Sequence, residues 1–201
     1  MAAGSSREIQ LKCVVVGYAG TGKTCAIISH TTDFELNWGP NLYIPTLMHD
    51  FKKWGELNGT PYCMEVWDTQ GQEDYNRLRP LAYPGTHVFL IFCDVSDSKE
   101  RLEGIHSFWL PEVTHSCPKV PLILVGSKID LRGHEGIETI SVQEGNAMAA
   151  KIGAAKYMEI SSLENQGLSE LFDEAVKIGF RYKSTSKKIT AKAVMEDCLI
   201  L

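Results

Sequence analysis

Short, nearly continuous apolar segments alternate with longer amphipathic segments along most of this 201-residue chain. The apolar segments are rich in Val, Ile, Leu and aromatic residues, and they span residues 9–17, 60–68, 87–93, 120–126 and 155–160. Strands that are apolar on both faces are typical of a parallel sheet with helices on both sides. Alternation of such strands with helices predicts an α/β fold with right-handed crossover connections.

The segments between the strands carry helix signals. Residues 96–98 and Ser141 are candidate N-caps for two helices. A later segment has its apolar residues on one helical face, namely Leu168, Leu171, Phe172, Ala175, Val176 and Phe180. Residues 48–59 are less regular, but they end at Asn58-Gly59, a hairpin signal that favours an edge strand. With this strand, the predicted sheet has six strands.

Composition and charge narrow the class of protein. Hydrophobic residues make up 44% and charged residues 22%, which is typical of a globular domain. Lys and Arg total 20 against 25 Asp and Glu, so binding to nucleic acid through a basic surface is not expected. The sequence has no apolar run of about 18 residues and no secretory signal at residues 1–10. The six cysteines form no CxxC pair, and several lie in apolar runs, which favours buried free thiols in a reducing compartment.

The first strand leads into GYAGTGKT (residues 17–24), a complete GxxxxGK[ST] phosphate-binding loop, or P-loop, between a strand and a helix. Its glycines let backbone N–H groups turn toward phosphate oxygens, and the helix start adds partial positive charge. Lys23 is expected to reach the β- and γ-phosphates, and Thr24 to offer a hydroxyl to Mg²⁺. The candidate nucleotide-binding residues here are Ala19, Gly20, Thr21, Gly22, Lys23, Thr24 and Cys25. The flanking strand and helix disfavour the alternative of an incidental glycine-rich turn.

The strand at residues 60–68 leads into Thr69-Gln70-Gly71-Gln72. Asp68, at the carboxyl end of this strand and opposite the P-loop, is expected to hold Mg²⁺ through water. Gly71 allows its backbone N–H to approach a γ-phosphate, and Gln72 is the candidate for orienting an attacking water. The alternative is a purely structural turn, which the upstream P-loop disfavours.

The segment Ser127-Lys128-Ile129-Asp130 follows the strand at residues 120–126. The Asp130 carboxylate can accept hydrogen bonds from N1 and the N2 amino group of guanine, a pair of donors that adenine lacks. The segment therefore favours GTP over ATP, with the Lys128 stem lying along the base. After the last strand, backbone N–H groups near Ser162 and Leu163 are expected to reach guanine O6. The alternative is that these four residues form only a solvated loop, which the upstream P-loop disfavours.

These motifs, in this order and spacing, resemble a small GTPase of the Ras superfamily and, more closely, the Rho/Rac/Cdc42 family. The closer likeness is carried by Gly22-Lys23-Thr24-Cys25, by Tyr43-Ile44-Pro45-Thr46 and by residues 67–84. The resemblance implies a P-loop NTPase small G domain: a mostly parallel six-stranded sheet with helices on both faces. It covers residues 8–182 and the last four residues of the chain.

The resemblance also implies a function, a GTP-binding molecular switch that slowly hydrolyses GTP to GDP. Thr24, Thr46 and Asp68 would hold Mg²⁺, Gln72 would be catalytic, and loss of the γ-phosphate would release the loops around Thr46 and Gly71. The implied partners are guanine-nucleotide exchange factors, GTPase-activating proteins, dissociation inhibitors and cytoskeletal effectors, with actin organisation downstream. The chain is expected to be a monomer. We find no obvious arginine finger in the sequence, which predicts slow unaided turnover.

Four departures from the family pattern affect these expectations. Ala19 stands where the family has Gly, and Gln70 where it has Ala, so hydrolysis and the response to activating proteins are expected to change. The segment 31–46 is longer than usual and lacks the family's base-stacking Phe. The candidate substitutes for that Phe are Phe34 and Trp38. The segment 131–141 is too short for the extra helix of Rho proteins.

Two other functions remain open at this point. One is a GTP-loaded interaction module that barely hydrolyses GTP, which Ala19 and Gln70 suggest. The other is a P-loop kinase for a small molecule, which would need a lid and an acceptor site and would not need the residues 127–130.

The chain ends in Cys198-Leu199-Ile200-Leu201, a C-a-a-X motif whose last residue predicts geranylgeranylation of Cys198. Four lysines supply a second, electrostatic membrane signal, which Glu196 and Asp197 oppose. These lysines are Lys183, Lys187, Lys188 and Lys192. The alternatives are an ordinary apolar C-terminus and a solvated tail.

The sequence therefore predicts three parts. Residues 1–7 form a flexible N-terminus, residues 8–182 the G domain, and residues 183–201 a flexible basic tail that ends in the prenylation motif. We expect a cytoplasmic protein with prenyl-dependent attachment to the cytosolic face of a membrane, in the first instance the plasma membrane.

Overall fold

A computed structural model describes residues 8–31 and 49–198, with residues 187–198 as backbone only. Within these residues, six strands form one sheet in the order β2-β3-β1-β4-β5-β6. Their bounds are β1 Ile9–Gly17, β2 His49–Leu57, β3 Thr60–Asp68, β4 Val88–Asp94, β5 Leu122–Ser127 and β6 Lys156–Ile160. Neighbouring strands are parallel except β2 and β3, which are antiparallel and joined at Asn58-Gly59. The predicted α/β fold and its mostly parallel six-stranded sheet are confirmed.

Helices cover both faces of this sheet. Their bounds are α1 Lys23–Thr31, α2 Lys99–Gly104, α3 Leu110–Ser116, α4 Val142–Lys151 and α5 Leu168–Cys198. A π-helical turn, Ile105–Trp109, joins α2 to α3. Short 3₁₀ turns lie at Glu73–Tyr75, Arg79–Ala82 and Ile129–Leu131.

The two faces of β1 explain why the strands are apolar throughout. Val14 and Val16 belong to one buried cluster and Cys13 and Val15 to the other, and all four side chains are fully buried. The Val15 cluster is closed mainly by α1 and α5, through residues such as Ile27, Leu171 and Phe172. The Val14 cluster is closed by the helices after β4 and by α4, through Ile105, Trp109, Val113, Met148 and Ile152. Burial of each large aliphatic side chain stabilises the fold by about 1.5–3 kcal/mol.

Both predicted serine caps are present. The Ser98 side chain accepts a hydrogen bond from the backbone N–H of Arg101 in the first turn of α2. Ser141 forms a reciprocal capping box with Glu144, whose N–H lies 3.2 Å from Ser141 Oγ and whose carboxylate accepts from the Ser141 N–H at 2.9 Å. These caps fix where two helices begin relative to β4 and β6.

The helix at the carboxyl end continues further than the sequence pattern indicated. The apolar face was predicted to fade after Tyr182, into a flexible tail over residues 183–201, but α5 runs to Cys198. The physical reason is that residues 180–198 contain neither Gly nor Pro, so nothing in the sequence interrupts helical hydrogen bonding. The helix therefore does not end at the predicted boundary after Tyr182, and the flexibility of residues 183–201 stays a prediction. Among the helices of the described ranges, none is both long and apolar enough to cross a bilayer.

Between the 3₁₀ turn at Ile129–Leu131 and the cap at Ser141, the chain forms turns and no helix. This agrees with the expectation that the segment is too short for an added helix.

The described cysteines are free thiols, and Cys13, Cys63 and Cys93 are buried. Burial raises the pKa of Cys93 to about 12, so this thiol stays protonated.

Candidate functional site

The carboxyl ends of β1, β3, β4 and β5 meet at one edge of the sheet, and the predicted site residues lie on the loops that follow. β1 ends at Gly17, and α1 begins at Lys23. Gly20 and Gly22 have φ values of +81° and +78°, a backbone conformation that favours glycine. A Cβ at either position would have no atom within 4 Å, so open space lies beside both residues. The loop is therefore a tight backbone turn with room next to it for a ligand.

Lys23 is the buried cation of this loop. Its side chain is 6% exposed, and its ammonium donates to the carbonyls of Gly17 and Tyr18, both at 2.8 Å. Burial lowers the pKa of Lys23 to about 8, while the neighbouring Asp68 raises it and the charges of Arg79 and Arg101 lower it. A cation withdrawn from water in this way needs an anionic or polar partner, which is the environment a phosphate supplies.

Thr24 and Asp68 lie together below the loop. The Thr24 hydroxyl donates to Asp68 Oδ2 at 2.6 Å, and Asp68 is fully buried at the end of β3. The parallel register pairs Asp68 with Val15, two residues before β1 ends, which brings the carboxylate beside the P-loop. A hydroxyl and a carboxylate are the hard oxygen ligands that Mg²⁺ prefers, so these residues fit the predicted ion.

The side chains of Thr21 and Cys25, two further predicted residues of the phosphate site, are engaged within the protein. The Thr21 hydroxyl donates to the Tyr18 carbonyl at 2.9 Å, so its side chain supports the turn of the loop. Cys25 is half-buried in the first turn of α1, and burial raises its pKa. Each of the two therefore contributes to the site through backbone position. The predicted residues Thr46, Phe34 and Trp38 lie outside the described residues.

Gly71 lies directly against the P-loop. A Cβ at this position would be 2.4 Å from both Ala19 N and Gly17 O, so only glycine permits the two backbones to be this close. Thr69, two residues earlier, is buried and donates to the Val15 carbonyl at 2.7 Å. The segment that carries Gln72 is thereby attached to β1 on the side of the loop where Lys23 lies.

The buried Arg79 holds the same segment from the other side. Its Nη1 donates to the Gln70 carbonyl at 2.7 Å and lies 3.4 Å from the Gln72 carbonyl. Glu112 on α3 pairs with the guanidinium through two contacts of 2.8 and 2.7 Å. Tyr83 donates its hydroxyl to the same carboxylate, and burial raises the pKa of Tyr83, so this donor stays protonated. Sequence reasoning missed this network, because Glu112 is 33 residues from Arg79.

Gln70, which stands where the family pattern has Ala, differs in hydrogen bonding between its backbone and its side chain. Its backbone carbonyl accepts from Arg79, whereas its side-chain Oε1 is buried and has no hydrogen-bond partner among the described residues. A buried unsatisfied amide oxygen is costly, by about 1–3 kcal/mol. The longer side chain of Gln70 is therefore accommodated at some cost in stability.

The proposed base-binding residues lie at the ends of β5 and β6. Asp130 accepts a hydrogen bond from the buried Ser161 hydroxyl at 2.5 Å. Lys128 has a left-handed φ of +62° and forms an ion pair of 2.6 Å with Asp94 at the end of β4. The candidates Ser162 and Leu163 follow Ser161, and the Leu163 side chain is 69% exposed. The structure thus brings the Asp130 carboxylate and the backbone after Ser161 together.

Ser127 joins the base-binding end to the phosphate-binding end. Its buried hydroxyl lies 2.7 Å from the Thr21 carbonyl and 3.0 Å from the Cys93 carbonyl. Because Thr21 belongs to the P-loop and is 106 residues away, this contact fixes the spacing between Lys23 and Asp130. Sequence reasoning treated Ser127 only as the residue before Lys128 and missed this role.

This edge of the sheet therefore has a glycine-rich turn with a buried cation at one end, and the Asp130 carboxylate beside Ser161 at the other. The sequence predicts that the phosphates of a nucleotide lie at the Lys23 end and its base at the Asp130 end. In a comparison with protein-family models, the model described as the Ras family matches residues 12–179. The match includes all the site residues described above.

Proposed function

We propose that this chain, which belongs to the Ras family of small GTPases, is a switch of the Rho type that hydrolyses GTP slowly and signals from a membrane surface. Ras-family proteins are in general molecular switches that bind GTP, GDP and Mg²⁺. The single observation that carries the proposal is the contact of Ser127 with Thr21, which joins the Lys23 loop to the Asp130 loop. One ligand with a guanine base and phosphates satisfies both ends.

In this proposal, the chain acts on GTP mainly by position and charge. Lys23 donates to oxygens of the β- and γ-phosphates, and the backbone N–H groups of the P-loop surround them. Thr24, Thr46 and Asp68 hold Mg²⁺, which when bound neutralises charge on the same oxygens. Gln72 orients the water that attacks the γ-phosphorus.

The Rho-type assignment rests on sequence. Its support is the segment from Trp67 to Pro84, together with Tyr43-Ile44-Pro45-Thr46. Arg79 and Tyr83 of the longer segment form a network with Glu112 of α3, and Arg79 in turn holds the Gln70 carbonyl. Exchange factors, GTPase-activating proteins, dissociation inhibitors and cytoskeletal effectors are the proposed partners, with actin organisation as the process.

A second candidate is a GTP-loaded module that barely hydrolyses. Two observations favour it: the methyl group that Ala19 adds to the P-loop, and the Gln70 side chain, whose Oε1 is buried two residues before Gln72. Such a protein would signal according to its abundance and lipidation, without cycling between nucleotides.

Membrane attachment is the part of the proposal that depends on the last residues. We expect Cys198→Ser to move the full chain from the membrane fraction to the soluble fraction in cells, because it removes the acceptor of the geranylgeranyl group. Fractionation of cells that express each form measures the effect. Cys117→Ser, which changes a half-buried thiol far from the C-terminus, is the matched control. Equal membrane fractions for the Cys198 variant and the control would contradict the proposal.

A further inference from the structure

An ion pair ties the short turn that carries Asp130 to the neighbouring strand β6. The 3₁₀ turn Ile129–Leu131 ends at Arg132, whose side chain crosses to β6. There its Nη2 lies 2.5 Å from Glu159 Oε1. Glu159 lies two residues before Ser161, the residue whose hydroxyl donates to Asp130. The site as described above does not use this ion pair.

Glu159 is itself held in place on β6. The Tyr157 hydroxyl donates to Glu159 Oε1 at 2.8 Å, and burial raises the pKa of Tyr157, so this donor stays protonated. The Tyr157 ring fills the space beside Gly126 of β5 and Gly145 of α4, where a Cβ would overlap it. The carboxylate that receives Arg132 is therefore oriented by a side chain whose own position is fixed by packing.

The start of the same turn is anchored as well. Lys128, the residue before the turn, forms an ion pair of 2.6 Å with Asp94 at the end of β4. Asp130 therefore lies between two ion pairs, which join the turn to β4 on one side and to β6 on the other. Because the turn has only three residues, holding both ends leaves its central residue little freedom to move.

The burial of the pair between Arg132 and Glu159 favours a role in position more than in stability. The Arg132 side chain is 28% exposed and the Glu159 side chain 19%, so both charges are largely removed from water. Arg132 Nε is also buried, and it has no hydrogen-bond partner among the described residues. Desolvation offsets much of the attraction in such a pair, so its net gain in stability is small. What the pair does supply is a defined place for the turn.

We propose that Arg132 and Glu159 are positioning residues for guanine recognition, an inference that rests on the proposed function. They hold the turn so that the Asp130 carboxylate meets the N1 and N2 donors of the base at the same time. Neither residue contacts the nucleotide, and both act through Asp130. A two-point hydrogen bond depends on angle as well as distance, so a turn that is free to move loses retention of the nucleotide and selectivity for guanine.

The first readout is the rate at which the full chain with Mg²⁺ releases a fluorescent GDP analogue into excess unlabelled GDP. We expect Glu159→Gln, which keeps the shape of the side chain and removes its charge, to raise this rate about tenfold, the scale of one charge-assisted hydrogen bond. Arg132→Ala should act similarly and Arg132→Lys less. The double variant should release the analogue no faster than the faster single variant, because the two residues act as one pair.

The matched control is Glu174→Gln. It removes one charge from the ion pair that Glu174 forms with Lys156, at the start of the same strand β6. This pair does not include the turn that carries Asp130, so the control should release the analogue at the rate of the unmodified chain.

The second readout separates positioning from stability. Inosine triphosphate lacks the N2 amino group, so the ratio of GTP affinity to inosine triphosphate affinity reports how well the Asp130 carboxylate meets both donors. We expect this ratio to fall at least about threefold in Glu159→Gln and in Arg132→Ala, a fraction of one hydrogen bond. Glu174→Gln should keep the ratio of the unmodified chain.

The outcomes separate this proposal from the function it rests on. If the unmodified chain fails to bind GTP, the proposed function itself is wrong. If the unmodified chain prefers GTP, and Glu159→Gln and Arg132→Ala keep both its release rate and its preference, only the positioning role is overturned. Faster release with an unchanged preference and a lower melting temperature would also overturn it and leave the pair a structural contact.

Discussion

Replacing Lys23 with alanine should lower the affinity for GTP by at least about 100-fold. Lys23 is the buried cation of the P-loop, and its ammonium is held by the Gly17 and Tyr18 carbonyls. Each charge-assisted hydrogen bond to a phosphate is worth about 1.5–3 kcal/mol, and two such bonds account for the expected loss. Removal of the cation also takes away a positive charge that interacts with the buried Asp68.

Equilibrium binding of a fluorescent GTP analogue measures this effect. Lys151→Ala, which removes an exposed lysine paired with Glu103, is the control for loss of a charge elsewhere. Melting curves of both variants separate unfolding from weak binding. A Lys23 variant that is folded and binds GTP within a factor of three of the unmodified chain would contradict the assignment of the phosphate site.

Replacing Asp130 with asparagine should lower GTP affinity by about 100-fold and improve binding of xanthosine triphosphate. The carboxylate accepts from both guanine N1 and the N2 amino group, whereas an amide would set one N–H donor against a guanine donor. Xanthine has a carbonyl where guanine has the amino group, so the amide then has an acceptor to meet. Asparagine still offers an oxygen to the Ser161 hydroxyl, so the local fold should persist.

Competition of the two nucleotides for each variant measures this change of preference. Glu164→Gln is the matched control, because it neutralises an exposed carboxylate in the loop after β6 while Asp130 stays intact. If Asp130→Asn prefers GTP as strongly as the unmodified chain does, Asp130 does not read the base. Guanine recognition would then have to come from another part of the protein.

The strands and their order along the chain could be predicted closely from sequence. The apolar runs that end at Gly17, Asp68 and Gly126 gave strands whose ends differ by at most one or two residues. This works because a strand buried on both faces needs apolar residues at every position, and such runs are easy to detect. The P-loop and the caps at Ser98 and Ser141 were predictable for a similar reason, since a local pattern suffices.

The contacts that organise the site were not predictable in this way. The pairs Ser127 with Thr21, Arg79 with Glu112 and Arg101 with Ala19 join residues far apart in the chain. No spacing rule indicates them, because they depend on how β5, α2 and α3 pack around β1. The length of α5 was missed for another reason: residues 180–198 contain no Gly or Pro that marks where this helix ends.

The most direct test of the central claim is single-turnover GTP hydrolysis by the purified chain with Mg²⁺, beside Gln72→Leu. We expect the unmodified chain to hydrolyse GTP at on the order of 10⁻⁴ to 10⁻³ per second, and the variant to be at least about tenfold slower because it cannot orient water. That result supports a switch that cycles between GTP and GDP. Equal retention of GTP by both proteins would contradict it and favour the GTP-loaded module.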